Sequence, residues 1–593
     1  MGRDMWRRCS AVLCACVALL SGCGGGADGS NAAPPAPDDG APAQVLQAVG
    51  TITLAVPRSE QGPPNANGRI ALEWSTTGEA ASFTAWLSPR EGQPFVEVAA
   101  EVTANRAVFH PGPSWKLDFP TALVRVRGCD ASGDNCADSN AQPLAEALVE
   151  ARPSLIPSVN ASMSTVGGSS SYVIDDAGTL IAALRATDVG MFGNPAENFS
   201  PARVDLYSNL AGPSPPFGIP TPDFRSTTGT MALSGDGNTL AIPLLYSFGG
   251  GNSPQGIAGV VVVYYNETNT IVESGRSWRL QAVISAPPSM GVVELLGFGL
   301  ALSDDGRRLA ATALGSVLVF DKQPDGTWKF MKQIPGAAST RLVMSGDGLV
   351  IAFGSVAGVT PVPTGGGGTL NVNHYEVRVH ECSSNTWPLR ATLRSDGFPY
   401  AEGAAALDDF GDAALALSDD GNTLAVGAPR SRSTTRPGNV YVFGDVGTGQ
   451  WQRRALLVND EPASDLFGLN LSLSGNGRVL AASACGRFTP ASGVNRNYAS
   501  TTPPAAAQAC NTLTQQTGAS HGVHVYQSGD SGSWSKAASV VPTLPALVAE
   551  TPPLAQNWLF PVLSRDGGTL GIGAYRNFDR DDAVPGEANL LVY

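Results

Sequence analysis

Residues 410–457 read FGDAALALSDDGNTLAVGAPRSRSTTRPGNVYVFGDVGTGQWQRRALL, and their punctuation decides the fold. An apolar strand ends at Ser418, and Asp420-Gly421 supplies the positive-φ turn of a tight hairpin. A second apolar strand, Leu424 to Ala428, runs back. After a variable loop, Val440-Tyr-Val-Phe443 alternates as a third strand, and Trp451 opens a fourth. Four antiparallel strands that cannot bury both faces alone are the unit of a stacked repeat.

Working outward, the turn recurs as Asp175-Asp-Ala-Gly178, Ser234-Gly-Asp-Gly237, Ser303-Asp-Asp-Gly306 and Ser345-Gly-Asp-Gly348. It returns as Ser474-Gly-Asn-Gly477 and Ser564-Arg-Asp-Gly567, and with Ser418 this makes seven copies, enough to close a ring. Third strands follow at Val204-Asp-Leu-Tyr207, Val261-Val-Val-Tyr264, Val317-Leu-Val-Phe320, Val377-Arg-Val-His380, Val523-His-Val-Tyr526 and Leu590-Leu-Val-Tyr593. Trp278, Trp328, Trp387 and Trp534 are read as opening further fourth strands. Residues 152–593 are therefore expected to form a seven-bladed β-propeller.

The repeats resemble the FG-GAP repeats of integrin-α-type propellers. Phe298-Gly299, Phe410-Gly411 and Phe467-Gly468 carry the first half of that motif and Gly427-Ala428-Pro429 the second, so only the fifth copy has both. WD-type repeats fit less well, because the spacing is longer and no His/Trp-Asp pair recurs. The last copy stops after a third strand, and the segment from Pro153 to about Met163 is expected to supply the missing fourth.

Upstream, Arg3, Arg7 and Arg8 precede an apolar run, Ala11 to Leu20, too short to span a bilayer. The run leads into Leu20-Ser21-Gly22-Cys23, which resembles the lipobox of bacterial lipoproteins. That resemblance implies a signal peptide over 1–22, lipidation at Cys23 and an outer-membrane destination facing periplasm or cell surface. Residues 23–47 are Gly/Ala/Pro-rich and read as a tether. Residues 48–151 hold short alternating strands at Ile70–Trp74, Phe83–Trp86 and Leu123–Arg127, the pattern of a β-sandwich, and resemble a fibronectin type III domain. Trp74 reads as core. The fold class is all-β, a propeller preceded by a sandwich, and 69 glycines and 44 prolines fit no helical alternative.

The formal charge of −14, with no basic run to offset it, repels a phosphate backbone and argues against nucleic acid. Cys129 with Cys136, and Cys485 with Cys510, are the disulfide candidates, and Cys382 reads as a buried leftover. Calcium, which integrin-type loops often bind, finds too few oxygens in Ser-Asp-Asp-Gly-Asn. The denser acidic cluster is Asp579, Asp581, Asp582 and Glu587; its plainer reading is a solvated loop, as for Asp408, Asp409 and Asp412. Gly529-Asp530-Ser531-Gly532 mimics a protease nucleophile loop but occupies the hairpin register of Phe443 to Trp451. His374 and His380 fall roughly 20 Å apart on one strand, and His521 and His524 face opposite sides of another. No cofactor is called for.

These readings favour a membrane-anchored, non-catalytic interaction or adhesion protein holding a protein or polysaccharide partner on propeller loops. The long loops are expected at 186–201, 247–258, 355–373 and 486–520. A glycan-active hydrolase or lyase using the central channel, and an envelope assembly scaffold, are the alternatives.

Overall fold

The computed structural model divides the chain into residues 1–47 and 48–593. It describes residues 49–59, 70–89, 92–109, 122–144, 154–160, 172–185, 203–208, 217–220, 230–248, 256–266 and 278–290. It further describes 296–396 with short breaks, 409–429, 438–459 and 522–540 with one break each, 467–484, 556–576 and 587–592. The lipobox, the tether, Cys485, Cys510, Asp579, Asp581 and Asp582 lie outside these residues, as does the side chain of Glu587.

The decisive repeat folds as read. Leu415–Leu417, Thr423–Ala428, Asn439–Asp445 and Trp451–Val458 form one four-stranded antiparallel sheet in sequence order. Six more such sheets make seven blades. In five of them the ladder between third and fourth strands slips at one equivalent place, as between Val442 and Phe443. A bulge at that point adds a residue to the outer strand and increases its twist.

Blade seven is completed across the chain. Gln556–Leu563, Leu570–Arg576 and Glu587–Val592 are joined by Ser154–Asn160, which pairs antiparallel with Glu587–Val592 (Leu155 opposite Leu591). The N-terminal segment thus covers an edge the last copy leaves open.

Middle strands are buried on both faces because each blade is packed between two others. Leu424 and Val426 join Ala352, Val377 and Val379 of the preceding blade. Ala425, between them, joins Phe467, Leu480 and Ala482 of the following one. The continuous apolar runs of the second strands follow from this two-sided burial.

Three expectations need correction. Residues 355–363 and 369–373 are not an irregular loop: Val350–Pro363 and Thr369–Glu381 form the longest hairpin among the described residues of the propeller, and Thr239–Phe248 with Gly256–Asn266 takes in 247–248 and 256–258 of the other expected loop. Their β-branched residues keep the ladder going where a loop was expected. Trp387 does not open its fourth strand, which is Leu389–Leu393; it is buried beside it, and its carbonyl meets His380 Nδ1 at 2.9 Å. Cys382 is half-buried rather than buried, packed at the margin of an apolar cluster.

Residues 49–144 form a sandwich. One sheet has the order Ile52–Leu54, Ile70–Thr76, Arg106–Phe109, Ala100–Thr103, with Arg58–Ser59 alongside the second strand. The other has the order Gln142–Pro143, Leu123–Cys129, Ser82–Ser88, Val96–Val98, with Cys136–Asp138 against the second. Ile70, Leu72, Trp74 and Phe109 of the first sheet bury against Ala85, Leu87, Val124 and Val126 of the second. Trp74 is core, and Cys129 is bonded to Cys136.

Candidate functional site: the ring of turns at the propeller axis

The repeated Ser-x-Asp-Gly turn builds itself from its own side chains. In blade five Ser418 Oγ accepts the Thr423 N–H at 2.9 Å and donates to Asp420 Oδ1 at 2.6 Å, while Asp420 Oδ1 accepts the Asn422 N–H. The same set forms at Ser234, Ser303, Ser345, Ser474 and Ser564. In the first blade Asp175 Oδ1 replaces the serine, accepting the Leu180 N–H. The closing glycines all sit at φ between 63° and 71°, where a side chain would be strained. Ser, Asp and Gly are therefore consumed by the hairpin.

The second position is not. Around the ring it reads Asp176, Gly235, Asp304, Gly346, Asp419, Gly475, Arg565. These turns are tied into a closed circle of main-chain hydrogen bonds. Asp176 donates to Gly235, Asp304 to Gly346, Gly346 to Asp419, and Asp419 to Gly475, each from N–H to carbonyl at 2.8–3.0 Å. Asp236 reaches Asp304 and Asn476 reaches Arg565 one residue later, and Arg565 closes onto Asp176 at 3.0 Å.

Side chains follow the same alternation. A Cβ on Gly235 would fall on the Asp176 carboxylate, one on Gly346 on that of Asp304, and one on Gly475 on that of Asp419. Each aspartate leans over the glycine of the next blade. Seven is odd, so strict alternation cannot close, and the unmatched place holds Arg565. Its Nη1 lies 3.0 Å from Asp176 Oδ2 and 3.3 Å from Asp304 Oδ2. Its Nε lies 3.0 Å from Asp419 Oδ2, an ion pair without the direction of a hydrogen bond.

The three acids are 28%, 30% and 19% exposed beneath an arginine that is 53% exposed. One oxygen from each lies within 4.8 Å of the others. Burial, then the charges of Asp176 and Asp419, push Asp304 up to about 7, with Arg565 opposing. Burial and Asp176 push Asp419 up to about 6, again against Arg565, and burial raises Asp176. Against the pull of burial, the charges of Asp419, Asp176 and Asp304 hold Arg565 above its ordinary value. Carboxyls raised toward neutrality can exchange protons near pH 7.

Sequence reasoning spelled out all seven turns yet passed over this cluster. The signal was the variable letter: in a ring, equivalent positions meet at the axis, so a position free of hairpin duty is where charges converge. The described histidines, His374, His380 and His524, are not members of it. His380 is buried, stacks on Phe353 at 5.4 Å, and has its pKa lowered by that burial. His524 packs edge-on to Phe467.

The Phe-Gly pairs fill the other end of the blades. Phe410 and Phe467 are fully buried, and Gly411 and Gly468 lie at positive φ, donating to the carbonyls of Gly427 and Ser483. In the third blade the equivalent pair is Leu296-Gly297, with Gly297 at positive φ and donating to Thr312. Phe298-Gly299 is displaced from the motif register by two residues. Leucine fills the same apolar place, which hid the pair from a search for Phe-Gly.

No family model matches the chain. No curated protein matches it. Among solved structures it is similar to the periplasmic gluconolactonase of Pseudomonas aeruginosa, at 14% identity over 66% of this chain and 92% of that one, with a TM-score of 0.34. It is similar to the WD40 domain of SCAP from fission yeast at 11% identity, over 71% and 94%, with a TM-score of 0.31. It is also similar to a putative TolB from Agrobacterium tumefaciens at 14% identity, over 52% and 76%, with a TM-score of 0.26. At these values the likeness says nothing of activity; the propeller rests on the seven sheets themselves.

Proposed function

We propose that this chain is a lipid-anchored binding protein of the cell envelope, acylated at Cys23, which holds a protein or polysaccharide partner on the loop end of its propeller. The observation that carries the reading is the polarity of the blades. Antiparallel order sends every first-to-second turn to one end, where the ring closes on its own charges. It sends every second-to-third connection to the other, where the Val350–Pro363 and Thr369–Glu381 hairpin also extends. Connections of variable length on a rigid scaffold suit recognition. The FG-GAP kinship is supported by the burial of Phe410 and Phe467 and by Gly427, where a Cβ would strike the Gly468 carbonyl of the next blade. The strand order of the sandwich supports a fibronectin type III-like module.

The test is binding of the full chain to envelope proteins and to arrayed polysaccharides, with residues 358–371 replaced by a short turn in the variant. Loss of binding on shortening the hairpin supports the loop end. Retained binding that instead falls with Arg565→Gln would move recognition to the ring and overturn the assignment.

A hydrolase or lyase acting on glycans is the second reading, and the Asp176, Asp304 and Asp419 cluster favours it, since paired carboxyls do that chemistry. It requires polysaccharide cleavage that Asp304→Asn and Asp419→Asn abolish. Unchanged or absent cleavage ends it.

A further inference from the structure

The long hairpin runs past its own blade. Val350–Pro363 pairs with Thr369–Glu381 along its length, but the first strand of the blade reaches only Ile351 to Phe353, and the fourth only Val377 to His380. From Ser355 to Pro363 on one side, and Thr369 to Glu376 on the other, the sheet is a two-stranded ribbon among the described residues. Such a ribbon is marginal by itself in water, and each of its edges carries unpaired backbone groups.

The ladder fixes which groups face outward. Backbone N–H and C=O groups of a strand point to alternate sides. Gly354 donates its N–H to the Arg341 carbonyl at 3.3 Å, away from the hairpin partner, so Val377 opposite it also faces away. Glu381, further along that strand, donates to the Pro388 carbonyl at 3.3 Å on the same outer side. The register shift between Val356 and Gly358 lies on the other strand, so the alternation runs unbroken from Val377 back to Asn373, Asn371 and Thr369. Opposite these three stand Val359, Pro361 and Pro363. Proline has no N–H to offer a further strand. One edge of the ribbon is therefore blunted, and the other presents the N–H and C=O groups of Thr369, Asn371 and Asn373.

We infer that this edge is a dimerisation seam, where a second copy of the chain pairs antiparallel about a two-fold axis through Asn371. An antiparallel edge is complementary to its own copy. Thr369 then meets Asn373 of the other copy and Asn371 meets its own counterpart, each pair exchanging main-chain hydrogen bonds in both directions. Charge favours a second copy over a foreign strand. The chain carries a formal −14, yet no Asp, Glu, Lys or Arg occurs from Gly354 to Tyr375. Strand edges are ordinarily guarded by charge, and like charges facing across a seam would oppose pairing of two acidic chains. Removing every charge from the ribbon lifts both barriers to self-pairing and leaves nothing to select a charged partner. The axis lies well beyond the blade: at about 3.3 Å per residue, the two Val377 positions would stand about 40 Å apart. The seam shares its hairpin with the recognition end proposed above, but it rests on the ladder and the charge pattern rather than on that reading.

The experiment uses the full chain, in sedimentation velocity and light scattering over a range of concentrations. Wild type is expected to pass from monomer toward dimer as concentration rises. Asn371→Lys and Asn371→Glu each set like charges opposite one another at the axis, and each is expected to weaken the dimer at least about tenfold. Mixed in equal amounts, they set Lys opposite Glu, and a mixed dimer is expected to return. Asn371→Pro removes an outward N–H and no bond within the ribbon, so it should weaken the dimer too, whereas Val359→Pro on the blunted edge should not. Thermal melting shows which variants are folded, and the charge pair decides the matter if Asn371→Pro is not. The inference is overturned if wild type stays monomeric throughout, if the charged variants dimerise as well as wild type, or if their mixture associates no better than either alone. Partner binding is scored on the same proteins: a monomeric Asn371→Lys that still binds leaves the recognition reading standing, and a dimeric wild type that binds nothing fails that reading alone.

Discussion

The guanidinium of Arg565 lies 3.0 Å from the carboxylate of Asp176 although 389 residues separate them in the chain. The contact joins the last blade to the first at the axis, beside the main-chain bond from Arg565 N–H to the Asp176 carbonyl. Two devices thus close the propeller: a strand exchanged at the rim of blade seven, and this ion pair at the hub.

Arg565→Met tests the hub. Individual exposed ion pairs contribute about 0–1 kcal/mol, and Arg565 is exposed enough to sit in that class. The variant also leaves three carboxylates facing one another, so the expected loss is about 1–3 kcal/mol. Chemical denaturation of the full chain measures it, and a variant as stable as wild type would dismiss the hub as a closing device. Adding Asp176→Asn and Asp304→Asn to Arg565→Met should recover most of the loss, because it removes the repulsion the arginine masks.

Asp304→Asn should stabilise the protein at high pH. With its carboxyl raised from 3.8 to about 7, the folded state prefers the protonated form. The unfolded chain has no such preference, so stability from this group is fully present below about pH 4 and is lost as pH rises toward about 7. The asparagine variant should match wild type near pH 4 and exceed it at pH 8 by about 1–3 kcal/mol, after allowance for solvent screening. Stability curves at the two pH values check the sign. A variant less stable at pH 8 would mean that the Arg565 pairing outweighs burial and like charge.

The glycines of the ring make a sharper case. Gly475→Ala puts a methyl on the Asp419 carboxylate and beside the Arg565 stem, whereas Gly358→Ala, in the long hairpin, meets nothing within 4 Å. Overpacking of this kind costs about 1–3 kcal/mol, so Gly475→Ala should destabilise and Gly358→Ala should not. Equal effects would show that the alternation of aspartate and glycine is incidental.

The ease with which each feature could be read follows from what encodes it. Blades were legible because Ser418, Asp420 and Gly421 are local chemistry repeated seven times. The closing strand was legible by subtraction, since the last copy ran out of strands. The long hairpin was misjudged because Val356, Val359 and Thr360 continue a ladder through glycines and prolines that usually end one. The site was written in the letters between Ser and Asp, but Asp176 and Arg565 become neighbours only once the ring is closed. No window along the chain contains both.

Closure at the rim gives the last prediction. Ser154–Asn160 caps an edge of blade seven that would otherwise present the unpaired groups of Glu587–Val592 to solvent. In a ring each blade buries its apolar faces against two others, as Leu424 and Ala425 do in blade five. An opened edge therefore loosens blade seven against blade one rather than a single strand. Deleting 154–160 should lower the melting transition and broaden it, and limited proteolysis should cut first within blade seven. The hub contact of Arg565 with Asp176 would remain in that protein, so combining the deletion with Arg565→Met should cost more than the sum of the two changes, the sign of two clasps on one joint. Strict additivity would mean that rim and hub close independently, each holding a different interface of the ring.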